Sequence, residues 1–182
     1  MSEKVSVFLC FALVCVFASP GLGQVALDIG EASAPPGKMV RVPVTIVAPA
    51  ETTALNMRLC YDPSVLMPLS VWKGPLLTGA HVVPYRVPPE IPGRFNVVVY
   101  PLLAGIPFTA NSGTVVELLF EIAPTVAPGT ATEITFAPLV FSDIPSSDLS
   151  GLSGNSLAHQ RTDGRVTVTD PVNRAMHWQL YP

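Results

Sequence analysis

The sequence predicts an all-β protein with about nine strands in two packed antiparallel sheets. Apolar and polar residues alternate in several short segments, which is typical of strands that have one buried face. The 182 residues include 20 prolines and 13 glycines, and so many prolines disfavour long helices. Turn-forming sequences separate the alternating segments. A hydrophobic content of 49% excludes a polar disordered chain.

Each predicted strand places apolar side chains on one face and mostly polar side chains on the other. The second strand contains Pro43, which has no N–H to donate, so we expect an edge strand or a bulge there. The continuous β-branched run at 97–99 is typical of a central strand. The predicted strands are Val25–Ile29, Val40–Ile46, Leu55–Tyr61, Val97–Val99, Val116–Ile122, Glu133–Phe136 and Arg165–Thr169.

An apolar segment near the N-terminus predicts export. Val5–Phe17 is uncharged, follows Lys4 and leads to small residues that include Gly21 and Gly23. The segment is shorter than the ~20 residues needed to span a bilayer core, so it fits a secretory signal peptide better than an anchor. We expect residues 1–23 to be the signal peptide, 24–172 one domain and 173–182 a tail. The mature protein would be secreted, with no membrane span.

The charge and the cysteine content exclude several classes of function. A net charge of −3 provides no basic field for nucleic acid. After removal of the signal peptide only Cys60 remains, so neither an intrachain disulfide nor a cysteine zinc site is expected. His81, His159 and His177 have no metal-ligand spacing, and no catalytic motif is found. We therefore expect a binding module and not an enzyme.

Five short motifs, taken in order, resemble the cohesin domain family, the receptor modules of cellulosome scaffolding proteins. They are Val25–Gly30 leading to Pro36-Gly37, Val40–Val44 with its central proline, Tyr61–Leu66, Ser112-Gly113 opening Val115–Ile122, and Phe141–Asp143 followed later by Asp163–Val168. The resemblance implies a nine-stranded jelly-roll sandwich, a fold shared with some carbohydrate-binding modules. It also implies a non-catalytic receptor without a cofactor. The implied partner is a dockerin, a helical module that carries calcium on its own side, within an extracellular polysaccharide-degrading assembly.

The resemblance suggests a first set of binding residues. In cohesins one sheet face, built partly from the strand before the Tyr-Asp-Pro turn, meets the dockerin. By alternation, Asn56, Arg58 and Cys60 point outward from that strand. Asn56 falls where many cohesins have a polar or acidic hydrogen-bonding residue, and its amide can both donate and accept. The alternative is an ordinary solvated outer face.

A second candidate region is the uncharged segment Tyr100–Phe108. Apolar exposed segments often mark contact sites, and the corresponding stretch of cohesins contributes to dockerin contact. The alternative is that its apolar side chains fold back and cap the open end of the sandwich. Cohesins commonly have acidic residues here, but Pro101–Ala110 has none, which argues against recognition through charge pairs. The candidates are Tyr100, Leu102, Leu103, Ile106 and Phe108.

Two other functions would each need their own set of side chains. A carbohydrate-binding module would need flat aromatic rings in line, for which Trp72, Tyr85 and Tyr100 are the available side chains; polysaccharide therefore stays a possible partner. A glycosidase would need two carboxylates beside a cleft. The sequence does not place any pair of loop carboxylates at a working distance.

Overall fold

Thirteen β-strands and no helix form the part of the chain that the computed structural model describes, which is residues 25–47, 52–137, 148–151 and 159–171. The all-β prediction is confirmed. Phe141–Asp143, the predicted signal peptide and the tail lie outside the described residues. The strands are β1 (Val25–Ile29), β2 (Glu31–Ala34), β3 (Met39–Val47), β4 (Thr52–Cys60), β5 (Leu66–Lys73), β6 (His81–Val82), β7 (Tyr85–Arg86), β8 (Arg94–Pro101), β9 (Ser112–Ile122), β10 (Ala131–Phe136), β11 (Asp148–Gly151), β12 (His159–Thr162) and β13 (Gly164–Val168).

The strands form two sheets, which confirms the predicted β-sandwich. One sheet has the order β12-β1-β3-β9-β5, and the other has the order β2-β13-β10-β4-β8-β6, with β11 also paired to β4 and β7 to β8. Two details differ from the prediction. The pairs β1–β12 and β2–β13 are parallel. The count of nine is not confirmed, because long strands break where they change sheet and pairings of only two residues leave no pattern in the sequence.

The core lies between the two sheets and is built from alternate positions of the strands. Leu55, Met57 and Leu59 of β4 are at most 1% exposed. Phe95 of β8 meets Phe120 of β9 edge-on, with 5.8 Å between ring centroids, so this contact joins the two sheets. Full burial of one such side chain stabilises the fold by roughly 1.5–3 kcal/mol. The predicted alternation therefore identifies the face of β4 that packs inward.

Two strands change sheet at the same level of the sandwich. The chain leaves the five-stranded sheet at Gly30, between β1 and β2, and again at Asp163, between β12 and β13. At this crossing Gly164 packs so closely that a Cβ atom on it would lie 2.3 Å from Ile29 Cγ2 and 2.7 Å from the Gly30 carbonyl oxygen. The crossing therefore requires a residue without a side chain at position 164.

Pro43 lies in an inner strand beside a bulge, so the second of the two sequence alternatives is the one observed. β3 runs between β1 and β9, and its register with β9 shifts between Val44 and Thr45. The Gly30 N–H donates to the Pro43 carbonyl oxygen at 2.8 Å. In a strand the nitrogen and the carbonyl of one residue face the same neighbour. The missing N–H of Pro43 therefore faces Gly30, where β1 has already ended.

β5 lies at one end of the five-stranded order and is irregular along its length. Its register with β9 shifts between Pro68 and Ser70, next to the exposed Leu69. The Tyr85 hydroxyl, from the other sheet, donates to the Leu69 carbonyl oxygen at 3.2 Å. This hydrogen bond joins the two sheets at the open side of the sandwich.

The turn after β4 has the form that the sequence predicted. Asp62 accepts hydrogen bonds from the hydroxyl and the backbone N–H of Ser64 at 2.6 and 2.8 Å, which lower the pKa of its carboxyl group. The Asp62 carbonyl oxygen accepts from the N–H groups of Val65 and Leu66. Both of these side chains are buried. The turn therefore returns the chain to the core directly after β4.

Substituting Gly164 with alanine should destabilise the protein by about 1–3 kcal/mol, because the added methyl group would overlap Ile29 and the backbone of Gly30. The free energy of unfolding in urea measures the effect. Gly79→Ala is the matched control, since a Cβ at Gly79 has nothing within 4 Å, and it should change the free energy by less than about 0.5 kcal/mol. Equal effects of the two substitutions would contradict the steric role of the crossing.

Candidate functional site

The candidate binding surface is the outer face of β4 and β8. Asn56, Arg58 and Cys60 alternate with the buried residues of β4 and are half-exposed. Their side chains therefore lie on the outward face, where the alternation placed them. Across the sheet they pair with Val98, Asn96 and Arg94, respectively.

This surface has two chemically different ends. At one end, Arg58 and Arg94 occupy neighbouring rows of the β4–β8 ladder, and Arg86 of β7 pairs with Asn96 from the other side. We call Arg58, Arg86 and Arg94 the basic end. The other end is apolar and continues into the loop after β8. We call it the apolar end; it consists of Val82, Val98, Tyr100, Leu102 and Leu103.

The loop between β8 and β9 is anchored on both sides of its tip. The Leu102 N–H donates to the Ala80 carbonyl oxygen at 2.7 Å, and the Phe108 N–H donates to the Thr52 carbonyl oxygen at 2.9 Å. The Thr109 N–H and hydroxyl both donate to the Leu76 carbonyl oxygen at 3.1 Å. The tip between these anchors is therefore held on a fixed base.

The five candidate residues of the segment Tyr100–Phe108 differ in how far their side chains are exposed. Leu102 and Leu103 are 63% and 69% exposed, and Tyr100 is 44% exposed. Ile106 is half-buried. Phe108 is only 5% exposed, with its ring centroid 5.5 Å from that of His81. Phe108 is thus a core residue that closes the end of the sandwich, while the first part of the segment presents apolar side chains to the surface.

His81 packs against Phe108 at the base of the β8–β9 loop. Its side chain is fully buried, and its Nδ1 lies 3.2 Å from the Thr78 backbone nitrogen, whose N–H donates to it. Nδ1 also lies 3.1 Å from the Thr78 hydroxyl oxygen. The Lys73 ammonium donates to the His81 carbonyl oxygen.

The pKa of His81 is lowered from its usual value of 6.5. Burial is the main cause, because it disfavours the charged ring. A hydrogen bond with the Ile106 backbone opposes the lowering of the pKa, whereas the positive charge of Lys73 adds to it. The imidazole beneath the loop is therefore neutral at neutral pH.

Comparison with family profiles assigns the domain to a known family. The profile described as "Cohesin domain" matches residues 25–155, a range that includes β4, β8 and the loop after β8. The chain belongs to the cohesin domain family. Cohesins are non-catalytic binding modules, so the coarse expectation of a binding module is confirmed. A comparison with curated protein sequences gives no significant match.

Solved cohesins have the same fold as this cohesin at low sequence identity. The sixth cohesin of scaffoldin B from Acetivibrio cellulolyticus, solved in complex with a Cel5 dockerin mutant, has a TM-score of 0.68 and 19% identity, covering 80% of this chain and 99% of its own. The cohesin of a type I cohesin–dockerin complex from Clostridium thermocellum has a TM-score of 0.67 and 18% identity, covering 80% of this chain and 99% of its own. A non-cellulosomal cohesin of the archaeon Archaeoglobus fulgidus has a TM-score of 0.63 and 21% identity, covering 87% of this chain and all of its own. These likenesses confirm the cohesin-type sandwich.

Cys60 lies at the margin of the basic end. Arg94 Nη1 donates to its Sγ at 2.7 Å. The two residues are paired across the β4–β8 ladder, so this contact follows from the register of the strands. It holds the Arg94 guanidinium over the outer face of the sheet.

The aromatic residues considered for sugar stacking lie on different surfaces. Trp72 belongs to the five-stranded sheet, and the Arg41 guanidinium lies 4.1 Å from its ring centroid. Tyr85 pairs with the buried Val97 and packs edge-on against Phe95. Tyr100 lies on the outer face. These three rings therefore do not form one platform, in contrast to what a flat sugar-binding surface needs.

A shallow cleft of about 260 Å³ lies away from the candidate surface, between the turn after β4 and the start of β5. Among the described residues that line it, Glu121 is the one carboxylate, whereas glycoside hydrolysis uses two. Within the described ranges no group of three or more His, Cys, Asp or Glu residues could hold a metal ion. A search of the same residues finds no helix long and apolar enough to cross a membrane.

Sequence reasoning found Tyr100 of β8 but missed Arg94, Asn96 and Val98 on the same face, and it missed the role of His81. Arg94, Asn96 and Val98 alternate with buried residues, but Val98 is apolar, so 97–99 looked like a fully buried run. Alternation across the whole of Arg94–Tyr100 could have revealed the outward set. His81 gives no such signal, because its contact with Phe108 joins residues that are distant in sequence.

Replacing His81 with glutamine should remove part of the acid sensitivity of the fold. Because the folded-state pKa is lowered, the neutral ring contributes fully above about pH 6.5, and this contribution is lost as the pH falls from 6.5 through the folded-state pKa. The slope is at most about 1.4 kcal/mol per pH unit. Urea unfolding between pH 7.5 and 5.0 measures it.

The comparison of the two proteins isolates His81, since His159 and His177 are present in both. The lowered pKa of Asp62 affects stability only below its usual value of 3.8, outside this range. If the unfolding free energies of the wild type and His81→Gln change equally with pH, then His81 is not the titrating group.

Proposed function

We propose that this cohesin binds a dockerin-type module through the outer face of β4 and β8 together with the tip of the β8–β9 loop. The observation that carries the proposal is the apolar end: Tyr100, Leu102 and Leu103 are 44–69% exposed in one stretch of chain. Contiguous exposed apolar side chains mark contact sites. Membership of a receptor family, with relatives solved in complex with dockerins, supports this choice of partner.

The anchoring of the loop favours tight binding. Hydrogen bonds from Leu102, Phe108 and Thr109 fix the base of the tip before any partner arrives. A preformed contact surface loses less conformational entropy on association than a mobile one. Asn56, between the two ends of the surface, can donate and accept hydrogen bonds and so fix the register of the partner. Calcium is expected on the dockerin side.

The site of action that we propose is outside the cell, in a polysaccharide-degrading assembly. The expected signal peptide at residues 1–23 supports export. One solved relative is described as non-cellulosomal, so membership of the family does not by itself fix the type of assembly. The protein to which the dockerin is attached identifies it. A polysaccharide-degrading domain on the captured dockerin protein would support the proposal, and its absence would count against it.

The double substitution Leu102→Asp/Leu103→Asp should weaken dockerin binding at least tenfold, because it places two charges where apolar side chains meet the partner; a tenfold loss equals about 1.4 kcal/mol. The measurement is calorimetric titration with a dockerin protein recovered from the secreted proteins of the source organism. Stability should change little, since both side chains are exposed.

Met39→Asp/Met67→Asp is the matched control. These side chains are 65% and 51% exposed and lie on the five-stranded sheet. The control should bind as the wild type does. Equal weakening by both pairs would refute the proposed surface, and failure to capture any dockerin protein would refute the proposed partner.

Expression in the source organism should release a protein that begins at Gln24. N-terminal sequencing of the secreted form tests this expectation. An intact chain that starts at Met1 and stays with the cells would contradict export through a cleaved signal peptide.

A further inference from the structure

We propose that the cleft between the turn after β4 and the start of β5 is the docking site for the tail of the same chain, residues 173–182. The proposal assigns a role to a cavity and to a segment that dockerin binding does not use. It does not depend on the proposed function, because the residues that line the cleft are not those of the candidate binding surface.

The cleft is apolar because prolines form much of its wall. Proline has no backbone N–H, so the wall presents fewer donors for water to solvate. Tyr61 lies beside the prolines, and its ring packs on the buried Phe120 with 5.7 Å between centroids. A volume of about 260 Å³ is below the roughly 300–1,000 Å³ of small-molecule sites, so the cleft fits a few side chains better than a separate ligand. The wall includes Tyr61, Pro63, Met67, Pro68, Ala123 and Pro124.

Exposed apolar side chains continue from the cleft onto the five-stranded sheet. Glu121 of β9 lies in register between Met39 of β3 and Met67 of β5. Both methionine side chains are more than half exposed. Methionine is flexible and adapts to the shape of a segment that covers it. An apolar cleft with such a margin is typical of a contact surface.

The chain leaves its last strand at the end of the sandwich that holds the cleft. The Thr169 N–H donates to the carbonyl oxygen of Ala34, the last residue of β2, at 3.0 Å. Three residues later, a Cβ atom on Gly37 would lie 3.6 Å from the Pro124 Cβ. Since three residues span at most about 11 Å, Thr169 lies within roughly 20 Å of the cleft.

The tail is long enough to reach the cleft from this point. An extended residue spans about 3.3 Å, so residues 170–178 cover up to about 30 Å. The N-terminal segment leaves from the other end of the sandwich, because Ala26 of β1 pairs with Val47 at the end of β3. The cleft adjoins the start of β3, where Met39 pairs with Glu121. Of the two ends of the chain, the C-terminal one therefore starts beside the cleft.

The composition of the tail matches an apolar cleft. Six of its ten residues are apolar, and Trp178 is the largest of them. A tryptophan side chain buries a large area when it packs against apolar groups, and its indole N–H can stay at the rim. The apolar residues of the tail are Ala175, Met176, Trp178, Leu180, Tyr181 and Pro182.

The charges of the tail and the cleft are opposite. Arg174 is the one charged side chain of the tail at neutral pH, and Glu121 is a carboxylate in the cleft wall. Within the described ranges no ion pair joins Glu121 to another residue. Arg41, in the next row of β3, pairs with Glu117 at 3.9 Å and stacks on Trp72 instead. A contact between Arg174 and Glu121 would set the direction in which the tail lies.

A tethered segment has an advantage over a separate partner. A short linker gives the tail an effective concentration in the millimolar range at the cleft. A second protein would have to bind more tightly than the tail by that margin to displace it. The position of the cleft therefore favours the tail as its occupant.

The test is the rate at which chymotrypsin cleaves the purified chain after Trp178, followed by mass spectrometry as the loss of residues 179–182. The protease needs the undocked tail, so the rate reports the undocked fraction. Ala123→Asp/Pro124→Asp places two charges in the cleft. It should raise the rate about tenfold or more, as expected when one large apolar side chain loses its burial.

Thr125→Asp/Ala127→Asp is the matched control. It adds the same two charges in the same turn, at exposed positions that do not line the cleft. This variant should be cleaved at the wild-type rate. Thermal unfolding of each variant shows that it is folded.

A charge exchange tests the direction of the tail. Glu121→Lys should raise the cleavage rate about twofold to fivefold, the effect of losing one exposed ion pair. Glu121→Lys/Arg174→Glu should be cleaved more slowly than Arg174→Glu alone, because it restores opposite charges. These last two proteins have identical tails, so the cleavage site itself cannot cause the difference. No slowing in the double variant would refute the contact between Arg174 and Glu121.

The outcomes separate this inference from its alternatives. Equal rates in the wild type, Ala123→Asp/Pro124→Asp and the control overturn the docking of the tail. Protection that increases with protein concentration assigns the cleft to the tail of a second copy and overturns docking within one chain. Loss of dockerin binding in Ala123→Asp/Pro124→Asp, with an unchanged cleavage rate, assigns the cleft to the dockerin and also overturns the inference.

Discussion

The close approach of Gly164 to Ile29 and Gly30 is the constraint on which the rest of the sandwich depends. Because two strands cross between the sheets at this one point, the sheets share a common level and cannot slide independently. The effect extends toward the candidate surface. Asp163, at the same crossing, accepts a hydrogen bond from the Phe136 N–H of β10 at 2.8 Å, and Phe136 is in register with Leu59 of β4. The strand that carries Asn56 and Arg58 is thus positioned by a short series of contacts that begins at a glycine and includes the Asp163 carboxylate.

The alternating segments of the sequence were sufficient to predict the all-β class, the positions of the main strands and the inward face of β4. They could not predict the sheet exchange at Gly30 and Asp163, because a strand that changes sheet keeps its period of two. Nor could they decide between an edge and a bulge at Pro43, since either removes the need for its N–H. That choice depends on where β1 ends, which is a tertiary fact.

The candidate surface was predictable only in part, for a related reason. Alternation assigns Asn56 and Arg58 to the outer face. The neighbours that add charge to this face come from β7 and β8, and a single sequence does not show the register between strands. The uncharged loop illustrates a different limit. Its composition allowed both a contact site and a cap, and the structure divides it: Phe108 packs on His81 while Leu102 and Leu103 stay at the surface. The two interpretations therefore apply to successive parts of one segment.

The irregular course of β5 also has a consequence for how copies of this module coexist. An end strand with open backbone groups can template pairing with another molecule. Here Pro68 lacks an N–H, the neighbouring bulge twists the strand, and the Tyr85 hydroxyl already occupies the Leu69 carbonyl oxygen. Strand addition along this side is blocked at its middle. This end of the five-stranded sheet therefore resists strand pairing between neighbouring copies of the module.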